Sequence, residues 1–230
     1  PSAGSIAIAS ANTAIVNDDT YIGTSGADSI TLASMYSLLE AGAGADTVAL
    51  GSAGFNWLRL DMGEGNDSFS VTSAAPIVAN GSQFIGGAGV DSFDFSGITA
   101  ISLDLRGLPT GMVTGMEVID LTGSANNTLS LNLRDVLDLT NNLDHVLRIQ
   151  GNAGDTVNFG HVGASANLLT AGATILDEAG LAQTLLASSA GDASALDVSI
   201  AGRTYDVYQY GSGASQATVL IDTTTIHTVL

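Results

Sequence analysis

Apolar and polar residues alternate in short runs through the first hundred positions of the chain. In each run two apolar side chains stand two positions apart, which is the period of a strand with one buried face. The four clearest pairs are Ile30 and Leu32, Val48 and Leu50, Phe69 and Val71, and Phe93 and Phe95. Each pair follows a glycine-rich segment, so the pattern predicts short strands joined by tight turns.

The glycine-rich segments form a repeat in which Asp, then Ser or Thr, then an apolar residue follow the glycines. Four copies share one frame, and they span Gly23 to Ile30, Ala41 to Val48, Met62 to Phe69, and Gly86 to Asp94. Two shorter copies span Gly123 to Leu129 and Gly151 to Val157. The Asp residues of the first four copies are 18, 21 and 24 residues apart, with Asn127 next in the series. The shortest interval equals two nonapeptides, a known period of β-helical repeats.

Return strands are predicted between the copies, in segments that lack the glycine-aspartate pattern. They are Ser37 to Glu40, Trp57 to Asp61, Gln83 to Ile85, Ile101 to Leu105, and Met116 to Leu121, preceded by turns at 33–35, 51–56, 73–82 and 96–100. A chain that runs strand, turn, strand, turn and returns to the same edge is a parallel β-solenoid. We therefore expect an all-β fold of the β-roll type, with the glycine-aspartate turns on one edge and plain turns on the other.

The second half of the chain predicts a different mixture of elements. Apolar residues at helical spacing in Leu133 to Asp138, after a possible Asn132 cap, indicate a short helix, and Glu178 to Leu186 is a second helix candidate. Antiparallel strands are expected at Val198 to Ile200, Thr204 to Tyr210, Ala217 to Ile221, and Ile226 to Val229. The expected organisation is a linker or strand at 1–20, a solenoid at 21–160, a connector at 161–195, and a small antiparallel β-structure at 196–230.

Composition narrows the function classes. The 230 residues include 23 Asp and Glu against 5 cations, all Arg, for a formal net charge of −18 and a pI near 4.1. This balance argues against nucleic acid and anionic lipid as partners, because both require a basic surface. Only 12% of residues are charged and the mean hydropathy is +0.34, so the chain is expected to fold. The absence of Cys excludes disulfides, thiolate metal sites and a cysteine nucleophile.

The sequence contains no apolar stretch long enough to span a membrane, because the longest weakly polar region, 167–190, is interrupted by Asp177 and Glu178. No membrane insertion is therefore expected. The chain opens at Pro1, which suggests a fragment or a processed product. An export signal is then expected at the C-terminus.

The glycine-aspartate turns have the chemistry of a calcium site. Calcium binds several carboxylate and carbonyl oxygens at flexible geometry. Glycines allow a tight turn to aim its carbonyls inward, and the Asp at its end supplies charge. Stacked turns would share ions, so the four turns are expected to form three or four sites. Each ion would offset two negative charges. The candidate ligating residues are Gly23, Gly26, Asp28, Gly42, Gly44, Asp46, Gly63, Gly65, Asp67, Gly86, Gly87, Gly89 and Asp91.

These turns resemble the calcium-binding nonapeptides of the RTX (repeat-in-toxin) family. The later segments Met116 to Gly123, Leu133 to Leu137 and Gly154 to Val157 resemble the C-terminal region of large bacterial surface adhesins. Thr204 to Tyr208 and Ala217 to Ile221 are similar to the C-terminal region of proteins exported by type I secretion. The resemblance implies a roll that folds when it meets extracellular calcium and an uncleaved C-terminal export signal. The sequence departs from the family pattern at Ala41, Met62 and Thr24-Ser25.

Catalytic groups are scarce in the sequence. His145, His161 and His227 lie in different segments, and no nucleophile elbow, zincin motif or phosphate loop is present. The pairs Asp18 and Asp19, and Asp135 and Asp138, are interpreted as solvated surface, and the cluster Tyr205, Tyr208 and Tyr210 as strand packing. A β-helix polysaccharide lyase or epimerase accessory module remains an alternative, although five Arg and one Trp offer little for sugar binding.

We therefore expect a non-catalytic, calcium-binding module of a secreted, adhesin-like bacterial surface protein, located outside the cell or on its surface. Expected partners are calcium ions, the type I secretion apparatus, and either other copies of the chain or a cell-surface ligand. A calcium-dependent, self-assembling surface-layer or filament subunit is the main alternative. It shares every sequence feature given above.

Overall fold

The computed structural model describes residues 19–32, 37–50, 59–71, 81–141, 145–160, 169–188, 191, 195–212 and 216–229. Over these residues the chain is mostly strand, with one α-helix, and most strands pair in parallel. The expected all-β class is confirmed at this level. The predicted turns at 33–35 and 51–56, most of that at 73–82, and the 1–18 part of the predicted linker lie outside the described residues.

Twenty strands and two helical segments occur in this part of the chain. In chain order they are β1 (Asp19–Ile22), β2 (Ser29–Leu32), β3 (Ser37–Glu40), β4 (Thr47–Leu50), β5 (Arg59–Asp61), β6 (Ser68–Val71), β7 (Gln83–Ile85), β8 (Ser92–Asp94), β9 (Ser102–Asp104), a 3-10 turn (Leu105–Gly107), β10 (Val113–Thr114), β11 (Val118–Asp120), β12 (Thr128–Asn132), α1 (Leu133–Leu139), β13 (Val146–Gln150), β14 (Thr156–Gly160), β15 (Thr174–Leu176), β16 (Ala182–Thr184), β17 (Leu196–Ile200), β18 (Arg203–Tyr210), β19 (Ala217–Asp222) and β20 (Ile226–Val229).

Three sheets hold eighteen of these strands. The first sheet has the order β1-β3-β5-β7-β10 and the third has the order β9-β12-β14-β20, both parallel throughout. The second sheet runs β2-β4-β6-β8-β11-β13-β19 in parallel and ends with β18 and β17 in antiparallel pairing. Up to β8 the chain alternates between the first and second sheets, so that each circuit adds one strand to both.

The core lies between the sheets. The first apolar residue of each predicted pair points inward, and Ile30, Val48, Phe69 and Phe93 are at most 1% exposed. The Phe69 ring contacts Phe84 of the first sheet at a centroid distance of 4.9 Å and Phe93 of the second sheet at 5.2 Å. Stacked circuits thus bury a continuous apolar interior, which is the main favourable contribution to folding.

Two predicted return strands are wrong. Met116 to Leu121 contains β11, which pairs with β8 and β13 in the second sheet and so follows a turn instead of preceding one. Ile101 to Leu105 contains β9, which opens the third sheet. The return strand of this circuit is the short β10, paired with β7. The sequence pattern could not separate these cases, because both predicted segments are rich in apolar residues and lack the glycine-aspartate pattern, whereas β10 has only two residues.

The helix predicted at Leu133 to Asp138 is confirmed as α1. Asn132 caps it, accepting the N–H groups of Arg134 and Asp135, and the Asp135 carboxylate accepts the Asn132 N–H in return. This reciprocal pair is a capping box, which stabilises the first helical turn. Val136 and Leu139 are buried, so the helix closes the apolar interior next to β10.

The second helix candidate, Glu178 to Leu186, is wrong. The segment forms the second half of a hairpin in which β15 and β16 pair antiparallel. Gly180 adopts a positive φ of 72° in the connecting turn, and Asp177 Oδ1 accepts the N–H groups of Ala179 and Leu181. A side chain that bonds the backbone in this way favours a turn over a helix.

The C-terminal strands occur at the predicted places, but only some of their pairings are antiparallel. β17, β18 and β19 form antiparallel pairs, as expected. β19 also pairs in parallel with β13, and β20 pairs in parallel with β14. These last two strands therefore extend the second and third sheets, and their parallel pairing departs from the predicted antiparallel arrangement.

Candidate metal centre

The four glycine-aspartate copies stack as successive turns between the first and second sheets. Ala43, Glu64 and Ala88 pair in parallel at the centres of three of the turns. The Glu64 N–H donates to the Gly42 carbonyl at 2.9 Å, and the Ala88 N–H donates to the Gly63 carbonyl at 2.8 Å. Backbone hydrogen bonds thus bring the predicted turns together on one edge of the molecule.

Glycine is required where these turns touch. Gly63 and Gly65 have φ values of 97° and 134°, in the region that favours glycine. A Cβ at either position would overlap the carbonyl oxygen of Gly42 or Gly44 in the turn before it. Gly87 and Gly89 repeat both features on the turn that contains Gly63 and Gly65. The glycine spacing therefore encodes close contact between turns.

The aspartates at the ends of the turns form a chain of hydrogen bonds. Asp46 Oδ1 accepts the backbone N–H of Asp28 at 2.7 Å, and Asp67 Oδ1 accepts that of Asp46 at 2.7 Å. Asp91 Oδ1 accepts the Asp67 N–H at 2.8 Å, and Glu117 Oε2 accepts the Asp91 N–H at 3.0 Å. We call these five residues the acidic row. Each carboxylate after Asp28 accepts a backbone N–H of the preceding circuit, and Asp28 Oδ2 accepts the Thr24 N–H of its own turn.

The acidic row is buried. Asp28, Asp46, Asp67 and Asp91 are between 1% and 3% exposed, and Glu117 is 0% exposed. Within the described part of the chain, one carboxylate oxygen of each of the four aspartates has no hydrogen-bond donor: Oδ1 of Asp28 and Oδ2 of Asp46, Asp67 and Asp91. Burying an ionised oxygen without a donor destabilises the folded state by roughly several kcal/mol, unless a cation or a proton neutralises the charge.

Burial raises the pKa values of four carboxylates in the acidic row. Desolvation, followed by the charge of the neighbouring aspartate, raises the pKa of Asp67 to about 6 and that of Asp91 to about 7. The same desolvation raises the pKa values of Asp46 and Glu117. Hydrogen bonds from the backbone oppose these shifts but are weaker. Without a cation, these four carboxylates therefore bind protons more readily at neutral pH than an ordinary carboxylate does.

The donor set fits a hard divalent cation. The free carboxylate oxygens lie beside turns whose backbone carbonyls are packed together, and oxygen ligands of both kinds suit calcium. No group of three or more His, Asp or Glu side chains converges anywhere in the described ranges. A cation here would therefore take one or two carboxylates and complete its shell from carbonyls and water. Asp28, Asp46, Asp67 and Asp91 are the side chains that would hold it.

Glu117 is the member of the row that the sequence analysis missed. Strand register aligns Val118 with Ser92 and therefore Glu117 with Asp91, whereas the motif series continued from Asp91 to Asn127. The segment before Glu117 contains only one glycine, Gly115, and no copy of the repeat. A search for an acidic residue directly before an alternating strand would have found it.

The two shortened copies lie away from the acidic row, where each leads into a strand of the third sheet, β12 or β14. Asp155 Oδ1 accepts the Asn127 N–H at 2.7 Å, and Asn127 Oδ1 accepts the Ile101 N–H at 2.9 Å. The Asn127 amide also donates to the Leu121 carbonyl at 2.8 Å. An amide thus meets the same backbone need as the aspartates while supplying its own donor, so Asn127 requires no cation.

The other titratable groups have structural partners. His145 contacts Thr140, and the buried His227 lies 2.9 Å from the Asp206 carboxylate. Asp135 belongs to the α1 capping box and Asp138 accepts the Gly111 N–H, so this pair is not the solvated surface that was expected. His161 and Asp18 lie outside the described residues.

The tyrosine cluster packs against the strands, as predicted. Tyr205 and Tyr210 are at most 1% exposed and Tyr208 is 8% exposed. The Tyr210 ring stacks on Phe159 at a centroid distance of 5.1 Å. The three rings therefore serve the core and leave little surface for a ligand.

Comparison with protein-family models, with curated proteins and with solved structures found no match to this chain. In the ranges described above, no helix is long and apolar enough to cross a membrane.

Proposed function

We propose that this chain is a calcium-binding β-solenoid of the RTX type that folds when it meets extracellular calcium. The observation that carries the proposal is the set of four aspartates in the acidic row. They lie on stacked glycine turns, each is almost fully buried, and each has one carboxylate oxygen without a donor among the described residues. A buried row of like charges needs a partner of opposite charge. Calcium supplies it where carboxylates and carbonyls are the only ligands at hand.

The same row explains why folding would depend on the ion. Adjacent strands are about 4.8 Å apart, so neighbouring carboxylates repel one another strongly when desolvated. Without calcium this repulsion opposes stacking of the turns. At roughly 100 times its dissociation constant, calcium would add about 2.7 kcal/mol per site. Several coupled sites would then decide whether the repeats form.

The biological setting proposed is a secreted, adhesin-like bacterial surface protein exported by type I secretion, in which this module is non-catalytic. Support comes from the sequence resemblance and from the net charge of −18. Sites of extracellular modules have dissociation constants on the order of 10⁻⁴ to 10⁻³ M, which keeps a chain unfolded in a calcium-poor cytosol. The self-assembling subunit stays the alternative function.

A calcium titration followed by far-UV circular dichroism tests the proposal. The chain, freed of metal, is titrated to about 10 mM calcium, above the weakest affinities of extracellular sites, with magnesium as the ion control. We expect a cooperative gain of β-structure with calcium alone. A double change, Asp46→Ala with Asp67→Ala, should raise the calcium midpoint several-fold.

Asp104→Asn is the matched control, because Asp104 is an exposed carboxylate paired with Arg106. This variant should leave the calcium midpoint unchanged. A chain that is fully folded in chelator and does not respond to calcium would contradict the proposal. Light scattering of the same samples separates the two functions, since ordered polymers formed with calcium favour the assembly subunit.

A further inference from the structure

We infer that Glu117 and Asp91 form an additional calcium site at the end of the acidic row, outside the glycine-aspartate repeat. This inference rests on the proposed function, because it assigns the same ion to a site that the repeat does not encode. The repeat alone ends at Asp91. The structure continues it by one circuit through a residue of a different type.

Backbone pairing gives Glu117 the position of an aspartate of the row. In the repeat, the residue after each Asp donates its N–H to the carbonyl of the preceding Asp: Ser92 donates to Asp67 at 2.8 Å. Val118, the residue after Glu117, donates in the same way to Asp91 at 3.0 Å. Glu117 Oε2 then accepts the Asp91 N–H, which is the contact that Asp46, Asp67 and Asp91 each make with the aspartate before them.

The second carboxylate oxygen of Asp91 provides the independent sign of a missing ligand. Asp91 is 1% exposed, and its Oδ2 has no donor among the residues that the structure describes. A Cβ built at Gly86 would lie 2.8 Å from this oxygen and would also overlap the carbonyl oxygen of Gly115, two residues before Glu117. The free oxygen thus lies beside Gly86 of its own turn, where the Gly115 carbonyl of the circuit that contains Glu117 also packs.

In the described part of the chain, no ion pair neutralises these two carboxylates. The nearby Arg148 pairs with Glu178 at 2.7 Å, and none of the ion pairs found there includes Asp91 or Glu117. Glu117 accepts only backbone N–H groups, from Asp91 at Oε2 and from Asn141 at Oε1 at a long 3.4 Å. Two carboxylates and the Gly115 carbonyl therefore lie in neighbouring circuits, buried and without an ion-pair partner. Such a set of hard oxygen ligands suits calcium.

The row ends after Glu117. Register aligns Arg148 with Val118, so the next residue in line is Leu147, which is 0% exposed. In the turn itself, the Asn141 side-chain amide donates to the Gly87 carbonyl at 2.6 Å. In the preceding turn, the equivalent Gly63 carbonyl accepts a backbone N–H from the next turn. An apolar side chain and an amide thus close the row, and Glu117 is its last acidic position.

Calcium stoichiometry tests this assignment. Isothermal titration with calcium chloride is applied to the full chain and to Glu117→Gln, with Glu40→Gln as the control because Glu40 is exposed at the end of β3. We expect Glu117→Gln to bind one calcium fewer than the unmodified chain, and Glu40→Gln to bind the same number. Circular dichroism in calcium checks that each variant is folded.

Glu117→Leu provides a second variant, since it copies Leu147, the residue at this position in the next strand, and removes both carboxylate oxygens. The Asp91 N–H then loses its acceptor, so the folding of this variant is checked in the same way. It should also bind one calcium fewer. Unchanged stoichiometry and affinity in both folded variants would overturn this inference and leave the proposed function intact. Absence of calcium binding by the unmodified chain would instead overturn the proposed function.

Discussion

Each aspartate of the acidic row has two tasks, one for each carboxylate oxygen. Oδ1 of Asp67 accepts the backbone N–H of Asp46 and fixes the stacking of two circuits. Its Oδ2 is buried without a donor, which creates the need for a cation. Asn127 shows the two tasks separated, because its amide oxygen binds the Ile101 N–H while its nitrogen donates to a carbonyl.

Replacing Asp67 by Asn and by Ala should therefore have different effects. Asp67→Asn keeps an acceptor for the Asp46 N–H and removes one charge, so we expect more folded protein in chelator and a several-fold higher calcium midpoint. Asp67→Ala leaves that N–H without an acceptor, which costs about 1–3 kcal/mol, so stability should fall with and without calcium. Chemical denaturation in both conditions measures this, and identical behaviour of the two variants would contradict the division of tasks.

A side chain at Gly65 would disrupt the contact between two stacked turns. Gly65→Ala would place a side chain at a φ of 134° and against the Gly44 carbonyl. We expect a loss of more than about 1–2 kcal/mol, the usual cost of a strained backbone alone. Gly107→Ala is the control, because a Cβ at Gly107 would meet no atom within 4 Å. Thermal unfolding in calcium compares them, and equal melting temperatures would show that the turns do not stack closely.

Elements in this protein depend on their neighbours, since most strands are three to five residues long. Short strands are unstable alone and gain stability from pairing on both sides. The helix α1 contributes a fixed end to one circuit: its buried Val136 and Leu139 face the core, while its first turn is held by the Asn132 and Asp135 capping box. Local capping and long-range packing thus agree at this element.

Removal of the Asn132 cap should weaken the circuit that contains α1. Asn132→Ala eliminates acceptors for the Arg134 and Asp135 N–H groups, and loss of such a cap usually costs about 1 kcal/mol. We expect a lower urea midpoint in calcium but an unchanged calcium stoichiometry. Thr184→Ala, at an exposed position in β16, should change neither. A cap variant as stable as the unmodified chain would indicate that packing alone holds α1.

At the scale of the whole molecule, the acidic row couples stability to pH and calcium. Folding raises the pKa of Asp67 to about 6 and of Asp91 to about 7, from 3.8. The folded state therefore holds more protons than the unfolded state between these values. The relative stabilisation is complete below pH 3.8 and is lost as the pH rises through 6 and 7. Calcium replaces the protons, so the dependence should be opposite when calcium is bound.

We expect the calcium-free protein to be more stable at pH 5 than at pH 7.5, and the calcium-saturated protein to be less stable at pH 5. Far-UV circular dichroism measures the folded fraction of the calcium-free protein at both pH values, and urea unfolding measures the stability of the calcium-saturated protein. A double variant, Asp67→Asn with Asp91→Asn, should reduce both pH trends. This result distinguishes the titration of the acidic row from the general effect of net charge. A calcium-free protein that gains stability toward pH 7.5 would contradict this account.

Local sequence determined much of the fold. Alternation predicted the strands that follow the glycine turns, because side chains of a strand point to opposite faces in every context. The glycine and aspartate spacing placed the four turns, and Asn132 predicted the start of α1. These features are specified by residues close together in the chain, so no knowledge of distant partners is needed.

Only the tertiary structure decided which strands pair. The circuits lengthen from 18 to 26 residues between Asp28 and Glu117, so a fixed period cannot align Glu117 with Asp91. Met116 to Leu121 and Ile101 to Leu105 resemble the true return strands in being apolar segments without the glycine-aspartate pattern, yet they pair in the second and third sheets. Pairing is determined by contacts between residues far apart in sequence, whose register depends on how the loops between them pack.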